Sequence, residues 1–356
     1  MKRLQQLKWV LLLFFAILTI QSCQKDDVLI DQNPVTDTSG TDDTNNSDGD
    51  NTDNGSDTNG DNTDGNNDEN PGDNSGNEEG EGEGEITLYT VEGSNIVKKT
   101  DYKVSGSDLE FQKDTNKHNE VWELVKKIVP ASYLSKMSEF MIFSGENSGT
   151  AGYVFPTSND LSKWQMGIAI DFAYQGGFNA GGELAYTIIH EFGHILTLDI
   201  DQVDASISQS NCNNYFTGEG CAKTDSYINK LQTRYWADIW SEYETAQDSE
   251  EKLEQFYQKH RDRYVTAYAS TNPGEDIAEV FATFVTRKGG PNGNSIAEQK
   301  IQLMYNHPEL ITFRDFIRGN MSSSKGRSYL PIAGSWKKAK IIGNPKKGCT
   351  HRKKGN

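Results

Sequence analysis

The sequence predicts an α+β fold in which a mixed sheet comes first and helices follow. Residues 86–155 contain apolar stretches separated by Gly, Ser and Asn turns, a pattern typical of strands. From Gly181 onward, apolar residues recur at helical spacing in several successive segments, and no internal repeat is present. This order of strands first and helices second is characteristic of the α+β class.

Residues 1–22 have the pattern of a signal peptide. Three basic residues precede an apolar run from Trp9 to Ile20, which is too short to span a bilayer. Cys23 follows Ser22 directly and resembles the cysteine that becomes lipidated in bacterial lipoproteins. A simple signal peptide followed by an incidental cysteine is the alternative.

The residues after Cys23 bear on location. Lys25, Asp26 and Asp27 resemble the surface-export signal of Bacteroidetes lipoproteins, although a short charged patch can also be the start of a linker. The resemblance implies an outer-membrane lipoprotein, held through its lipid anchor and displayed on the cell surface.

Residues 23–85 are predicted to be a disordered acidic tether rich in Asp, Asn and Gly, because almost nothing apolar follows Ile30. Residues 24–85 hold 20 acidic residues and one lysine, and residues 1–23 hold three basic residues. The net charge of −17 therefore leaves about −1 for residues 86–356. Such a nearly neutral domain is not expected to bind nucleic acid.

One folded domain is predicted over residues 86–335, followed by a basic tail over 336–356. Cys212 and Cys221 bracket a short loop and are predicted to form a disulfide, which suits an oxidising location. Cys349 is left over in the tail. The oligomeric state does not follow from the sequence.

Within the domain, local patterns predict several elements. Strands are expected near 86–92, 139–144 and 151–155, and helices near 116–128, 222–247, 250–262, 274–287, 293–304 and 309–318. Trp164, Met166, Ile168 and Ile170 alternate with smaller or polar residues, which predicts a strand with one buried face. This strand is either ordinary sheet or an edge strand that runs beside an active-site helix and pairs with an extended peptide.

A His-Glu-x-x-His motif occupies 190–194. His190 and His194 are four residues apart and therefore point the same way on a helix, where they can bind one metal ion with Glu191 beside it as a base. Leu184, Ile188, Phe192 and Ile195 form the opposite, apolar face. Two histidines on a half-buried helix would be the structural alternative.

A catalytic zinc site needs a third protein ligand and an open position for water. The metzincin extension is excluded, because Thr197 and Ile200 stand where that pattern has Gly and His. Asp199 is a weaker candidate at the end of the helix. The gluzincin pattern places the third ligand on a later helix, as a Glu followed four residues on by a second acid. Glu275 and Glu279 fit this pattern and share one helical face. As the alternative, Glu275 also suits the capping box at the start of that helix.

The motif helix and the Glu275–Glu279 segment resemble the gluzincin peptidases, specifically the lethal-factor-like zinc peptidases. The resemblance does not visibly cover residues 86–160. It implies a zincin-like domain with the active-site helix between sheet and helices. It further implies one Zn²⁺ held by His190, His194 and Glu275, with Glu279 behind a histidine.

The same resemblance implies a role for Tyr268, seven residues before Glu275, as a hydrogen-bond donor to the reaction oxyanion. A core or surface ring is the alternative for this tyrosine. The predicted activity is endopeptidase hydrolysis of a protein or peptide substrate, with Glu191 as general base. A surface binding module or adhesin that kept a peptidase-like fold without activity is the alternative function.

Overall fold

The computed structural model describes residues 84–321, which fall within one compact unit. The predicted signal peptide, Cys23, nearly all of the acidic tether, the basic tail and Cys349 lie outside the described residues. No helix between residues 84 and 321 is long and apolar enough to cross a membrane.

The predicted α+β class is confirmed. A mixed five-stranded sheet lies in the N-terminal part, and helices dominate the C-terminal half. The main sheet contains β1 (Glu85–Glu92), β2 (Asn95–Asp101), β3 (Met137–Phe143), β4 (Gly152–Pro156) and β5 (Trp164–Ala169). The strand order is β2-β1-β3-β5-β4, with β3 and β5 parallel and the other neighbours antiparallel. A second sheet pairs two short strands, β6 (Val203–Asp204) and β7 (Cys221–Ala222).

The strand predictions near 86–92, 139–144 and 151–155 match β1, β3 and β4 within two residues at each end. The sequence reading missed β2, which pairs with β1 in a hairpin. All seven residues of β2 are exposed or half-buried, so the strand lacks the apolar alternation that identifies a strand from sequence.

The prediction of one buried face for the Trp164 strand was wrong, and of its two alternatives, ordinary sheet and substrate-pairing edge strand, the structure has the first. All six residues of β5 are buried, so neither face is exposed to solvent. The strand is also internal, because β3 and β4 flank it. Gly167 lets the Tyr153 ring of β4 lie over the face that the sequence pattern left open, since a Cβ there would be 2.3 Å from that ring.

The helices form the other layer. Those before the motif helix are α1 (Gly106–Lys113), α2 (Thr115–Ile128), α3 (Ala131–Leu134) and α4 (Ile170–Ala173). The motif helix α5 (Glu183–Leu198) is followed by α6 (Tyr227–Tyr235), α7 (Trp240–Ala246) and α8 (Glu250–His260). The last three are α9 (Pro273–Thr286), α10 (Ile296–Tyr305) and α11 (Pro308–Asn320).

The single helix expected over 222–247 is two helices. It begins only at Tyr227, where the Ser226 side chain accepts a hydrogen bond from the backbone N–H of Asn229. A turn at residues 236–239 then separates α6 from α7 and places Trp236 in the core with no exposed surface. The break was not visible in the sequence because apolar residues on both sides keep a helical spacing.

The main core lies between the sheet and the helices. Phe140 of β3, Val154 of β4 and Met166 of β5 face it from the sheet, and the apolar residues of α5 and α9 face it from the helices. A smaller apolar cluster occupies the opposite face of the sheet, around Met141 and Tyr153. The motif helix therefore lies between the sheet and α9, with neither side open to bulk solvent.

Candidate metal centre

Helix α5 places both motif histidines in a closed environment. Every residue from Leu184 to Leu198 is buried, so the polar face predicted for this helix is as inaccessible as its apolar face. His190 and His194 are 1% and 0% exposed. Polar groups at this depth require hydrogen-bond or metal partners, because burial without them is costly.

Helix α9 supplies those partners. It begins with Asn272 as N-cap and Pro273 in the first turn, and the Asn272 side chain accepts a hydrogen bond from the backbone N–H of Glu275 at 2.9 Å. The start of the helix is therefore capped by Asn272. The Glu275 carboxylate lies against the histidines of α5, which is the arrangement expected of a ligand and not of a capping residue.

Gly193 allows α9 to approach α5 closely. A Cβ at this position would be 3.2 Å from the Phe281 ring and 3.3 Å from the Cα of Ala278. Ala278 lies between the two glutamates of α9, so the contact at Gly193 holds both carboxylates at the level of the histidines.

The three candidate ligand atoms form a nearly equilateral triangle. His190 Nε2 lies 3.0 Å from His194 Nε2 and 3.1 Å from Glu275 Oε2, and His194 Nε2 lies 3.3 Å from Glu275 Oε2. A tetrahedral ion with bonds of about 2.0–2.1 Å needs ligand atoms about 3.3–3.4 Å apart. The triangle is close to that size, and the three residues form the group among the described residues that can hold a metal ion.

The chemistry of the triangle also favours a cation. Two imidazole nitrogens and a carboxylate oxygen face one another, and neutral imidazole nitrogens without a proton are acceptors. Such a group needs a shared proton or a metal ion between its members. Burial alone lowers the pKa of His190, but hydrogen bonds to Glu275 and Glu279 and the charges of both raise it well above its usual value.

Glu279 lies behind His190, as the resemblance implied. Its Oε1 accepts from His190 Nδ1 at 2.8 Å, which leaves Nε2 of that ring for the ligand triangle. Its Oε2 accepts hydrogen bonds from Tyr186 at 3.2 Å and Thr266 at 2.6 Å. Glu279 itself is fully buried, so these three donors compensate its loss of water.

The sequence reading missed the two hydroxyl partners of Glu279. Tyr186 is one turn before His190 on the same helix face, so helical spacing could have identified it. Thr266 lies in the segment between α8 and α9, and no local pattern connects it with Glu279.

Tyr268 belongs to a short 3₁₀ turn ahead of α9, and its ring centroid lies 5.7 Å from that of His190. The phenol hydrogen-bonds to the Glu275 carboxylate. Burial raises the pKa of the phenol well above its usual range, and three neighbouring glutamates add to the rise: Glu275, Glu191 and Glu279. The hydroxyl therefore stays protonated at neutral pH and can act as a donor.

Glu191 is 1% exposed and lies beside strand β4. A Cβ added at Gly152 would be 3.2 Å from the Glu191 Cγ and 2.6 Å from the Thr187 Cγ2. The first residue of the edge strand thus contacts the turn of α5 that carries the predicted base. Sequence reasoning did not single out Gly152.

Asp199 is separate from the metal group. It is the C-cap of α5, is fully buried, and accepts a hydrogen bond from Lys136 Nζ at 2.5 Å. The same ammonium also contacts Asp201 at 2.6 Å. The role of Asp199 in the structure is therefore to hold the end of α5 to the start of β3.

Cys212 and Cys221 are joined by a disulfide with a Cα–Cα distance of 5.3 Å. The bridge joins the loop between β6 and β7 to the first residue of β7.

Comparisons with known protein families, with curated proteins and with solved structures found no match to this chain.

Proposed function

We propose that the protein is a zinc-dependent endopeptidase of gluzincin type. The observation that carries the proposal is the triangle of His190, His194 and Glu275 ligand atoms, with the Glu191 carboxylate on the same helix. Buried clusters of this composition serve either as structural metal sites with four protein ligands or as catalytic sites with three. Three protein ligands support the catalytic type.

Zinc suits the donor set. Two imidazole nitrogens and one carboxylate oxygen are typical of catalytic zinc, whereas calcium and magnesium prefer oxygen ligands alone. Zinc bound there would lower the pKa of a coordinated water towards about 7 and polarise a substrate carbonyl.

Glu191 would act as the base. Its carboxylate lies next to the ligands in sequence but is not one of the three ligand residues, so it is available to take a proton from the attacking water. The same group can then return the proton to the leaving amine, as required for peptide hydrolysis. Tyr268 would support the reaction by donating a hydrogen bond from its phenol O–H to the negative oxygen of the tetrahedral intermediate.

Strand β4 would position the substrate. Among the described residues it pairs only with β5, so its other edge has no strand partner, although residues 152–155 are buried. An extended peptide that pairs with this edge would pass Gly152 and therefore run alongside Glu191. The strand proposed for this role is therefore β4 and not β5, for which the sequence had left substrate pairing as one of two alternatives.

The decisive experiment compares the full chain with Glu191→Gln and with a matched control, Glu183→Gln. Glu183 is exposed at the start of the same helix. Wild type and Glu183→Gln should each contain one zinc ion and cleave an unstructured protein such as casein. Adding a chelator should abolish this cleavage. Glu191→Gln should keep zinc and lose about 10²–10⁴-fold in turnover.

The outcome also separates the alternative function. A wild-type protein that binds zinc but cleaves none of a broad peptide library would favour the binding module or adhesin.

Surface display stays a prediction from residues 1–27. Cys23→Ala should release the protein from the membrane fraction if Cys23 carries the anchor.

A further inference from the structure

A buried ion pair lies directly behind the third ligand. Asp276 follows Glu275 on α9 and points about 100° away from it around the helix axis, towards Trp236 after α6 and Lys300 of α10. Its Oδ2 accepts from Lys300 Nζ at 2.5 Å and from the Trp236 indole N–H at 2.7 Å. Asp276, Lys300 and Trp236 all have no exposed surface.

The ammonium of Lys300 is enclosed by aromatic rings as well. It lies 4.4 Å from the centroid of the Tyr264 ring and 5.7 Å from that of Trp236. Cation–π contacts of this kind partly replace the lost hydration. They also fix the direction from which Lys300 reaches Asp276.

Stability does not account for this arrangement. Removing two charges from water costs more than their attraction returns unless every remaining polar atom is satisfied. Among the residues that the structure describes, Oδ1 of Asp276 has no hydrogen-bond partner. Apolar side chains of similar volume would fill the same space without that cost, so the pair calls for another explanation.

The geometry of α9 supplies one. Successive residues of a helix are 100° apart, so the direction of Asp276 determines the rotation of the helix about its axis and thereby the direction of Glu275. The Gly193–Ala278 contact sets the distance between the helices but, being apolar, does not define their rotation. Hydrogen bonds are directional, so those of Asp276, together with those of Glu279 one turn further on, define the rotation of α9.

The neighbouring residues fix the same turn. Asn272 caps the helix at the Glu275 N–H, and Tyr243 donates to the Thr271 carbonyl at 2.8 Å. These bonds hold the backbone before Glu275, and the hydrogen bonds of Asp276 hold the position directly after it. The Glu275 carboxylate is thereby placed within 3.1–3.3 Å of both histidine nitrogens.

We propose that Asp276 and Lys300 are positioning residues for the metal ligand Glu275. The inference rests on the proposed metal centre but not on peptide hydrolysis. It makes the pair a determinant of metal affinity and coordination geometry, at a site that does not touch the metal.

The test replaces the pair by apolar residues of similar size, Asp276→Leu with Lys300→Met, in the full chain. Zinc affinity is measured by competition with a chromophoric chelator, and the coordination geometry by the visible spectrum of the Co²⁺-loaded protein. The double variant should melt at or above the wild-type temperature in the presence of chelator. It should bind zinc about 10–100-fold more weakly, as when a group that orients a ligand is lost, with an altered cobalt spectrum.

Two further variants keep the result interpretable. Phe256→Leu loosens the same aromatic core, since Phe256 packs on Trp236, Tyr243 and Tyr264, but removes no hydrogen bond to Asp276. It should lower the melting temperature and weaken zinc binding less than the double variant does. Trp236→Phe removes one hydrogen bond to Asp276 and should weaken zinc less than the double variant does. If the double variant fails to fold, Trp236→Phe decides alone.

The positioning role is overturned if the double variant binds zinc as tightly as wild type. If the double variant does not fold, wild-type zinc affinity in Trp236→Phe overturns it instead. Equal loss in Phe256→Leu overturns it too, because general destabilisation would then explain the effect. A wild-type protein that binds no zinc overturns the metal centre itself, which is a different result from the first two.

Discussion

The Nδ1 atom of His190 lies 2.8 Å from Oε1 of Glu279, although the two residues are 89 positions apart in the chain. The bond crosses the interface between α5 and α9 and fixes which nitrogen of the ring faces the ligand triangle. Carboxylates in this position raise the basicity of a metal-bound histidine and hold its ring orientation. The structure therefore places the two glutamates of α9 differently, with Glu275 in the ligand triangle and Glu279 behind His190.

The first prediction separates the two acidic candidates for the third ligand. Glu275→Ala should lose zinc and activity together, because it removes one corner of the triangle. Asp199→Ala should keep zinc and instead lower the free energy of unfolding by about 1–3 kcal/mol, since the Lys136 ammonium loses a buried partner. Metal analysis and urea unfolding measure both effects. Zinc loss in Asp199→Ala with zinc retained in Glu275→Ala would reverse the assignment.

The second prediction concerns Glu279. Glu279→Ala should weaken zinc binding by about 10–100-fold and leave part of the activity at high zinc concentration, because the ligand atoms remain while His190 loses its orienting partner. Glu279→Gln keeps an acceptor for His190 and should bind zinc more tightly than the alanine variant. Chelator competition gives both affinities. Wild-type affinity in Glu279→Ala would show that the hydrogen bond to His190 does not matter for the metal.

The third prediction tests the phenol of Tyr268. Tyr268→Phe should retain zinc and the fold but lose about 10²–10³-fold in kcat, the effect of one lost oxyanion donor. KM should change little, since the interaction forms mainly in the transition state. Steady-state kinetics with a single peptide are sufficient. An unchanged kcat would leave Tyr268 as a packing partner of His190 only.

The fourth prediction concerns the close contact between the edge strand and the motif helix. Gly152→Ala should lower activity while zinc content stays normal, because the added Cβ meets Thr187 and presses on Glu191. Gly289→Ala is the control, since nothing lies within 4 Å of a Cβ at that position. Activity and zinc content are compared in both variants. Full activity in Gly152→Ala would show that the helix can move away without cost.

The fifth prediction follows from the raised pKa of His190. In the metal-free protein, the stabilising effect of protonated His190 is complete below the usual histidine pKa of 6.5 and is lost as the pH rises through the higher folded value. Zinc must displace this proton, so zinc affinity should rise by about tenfold per pH unit until the raised pKa is passed. Calorimetry in buffers of different ionisation enthalpy should detect proton release on binding near neutral pH. Binding without proton release there would contradict the prediction.

Helical periodicity explains which parts of the site were predictable. His190 and His194 share one face of a helix because they are four residues apart, and the same is true of Glu275 and Glu279. The Asn272-Pro273 start of α9 is likewise a local signal. None of these inferences depends on where the helix packs, so the sequence alone supplied the paired histidines, the shared face of the two glutamates and the α+β class. That Glu275 is the third ligand was implied by the resemblance to gluzincin peptidases.

Tertiary packing decided the rest. Strand order depends on pairing between distant segments, so the sequence could not show that β4 and not β5 forms the edge beside Glu191. The choice between Asp199 and Glu275 depended on whether Lys136 or a histidine lies nearby, across 63 and 85 residues respectively. The pairing of Asp276 with Lys300 likewise joins two helices with no shared local pattern. Side-chain partners across such separations are set by the packing of whole elements, which no short stretch of sequence contains.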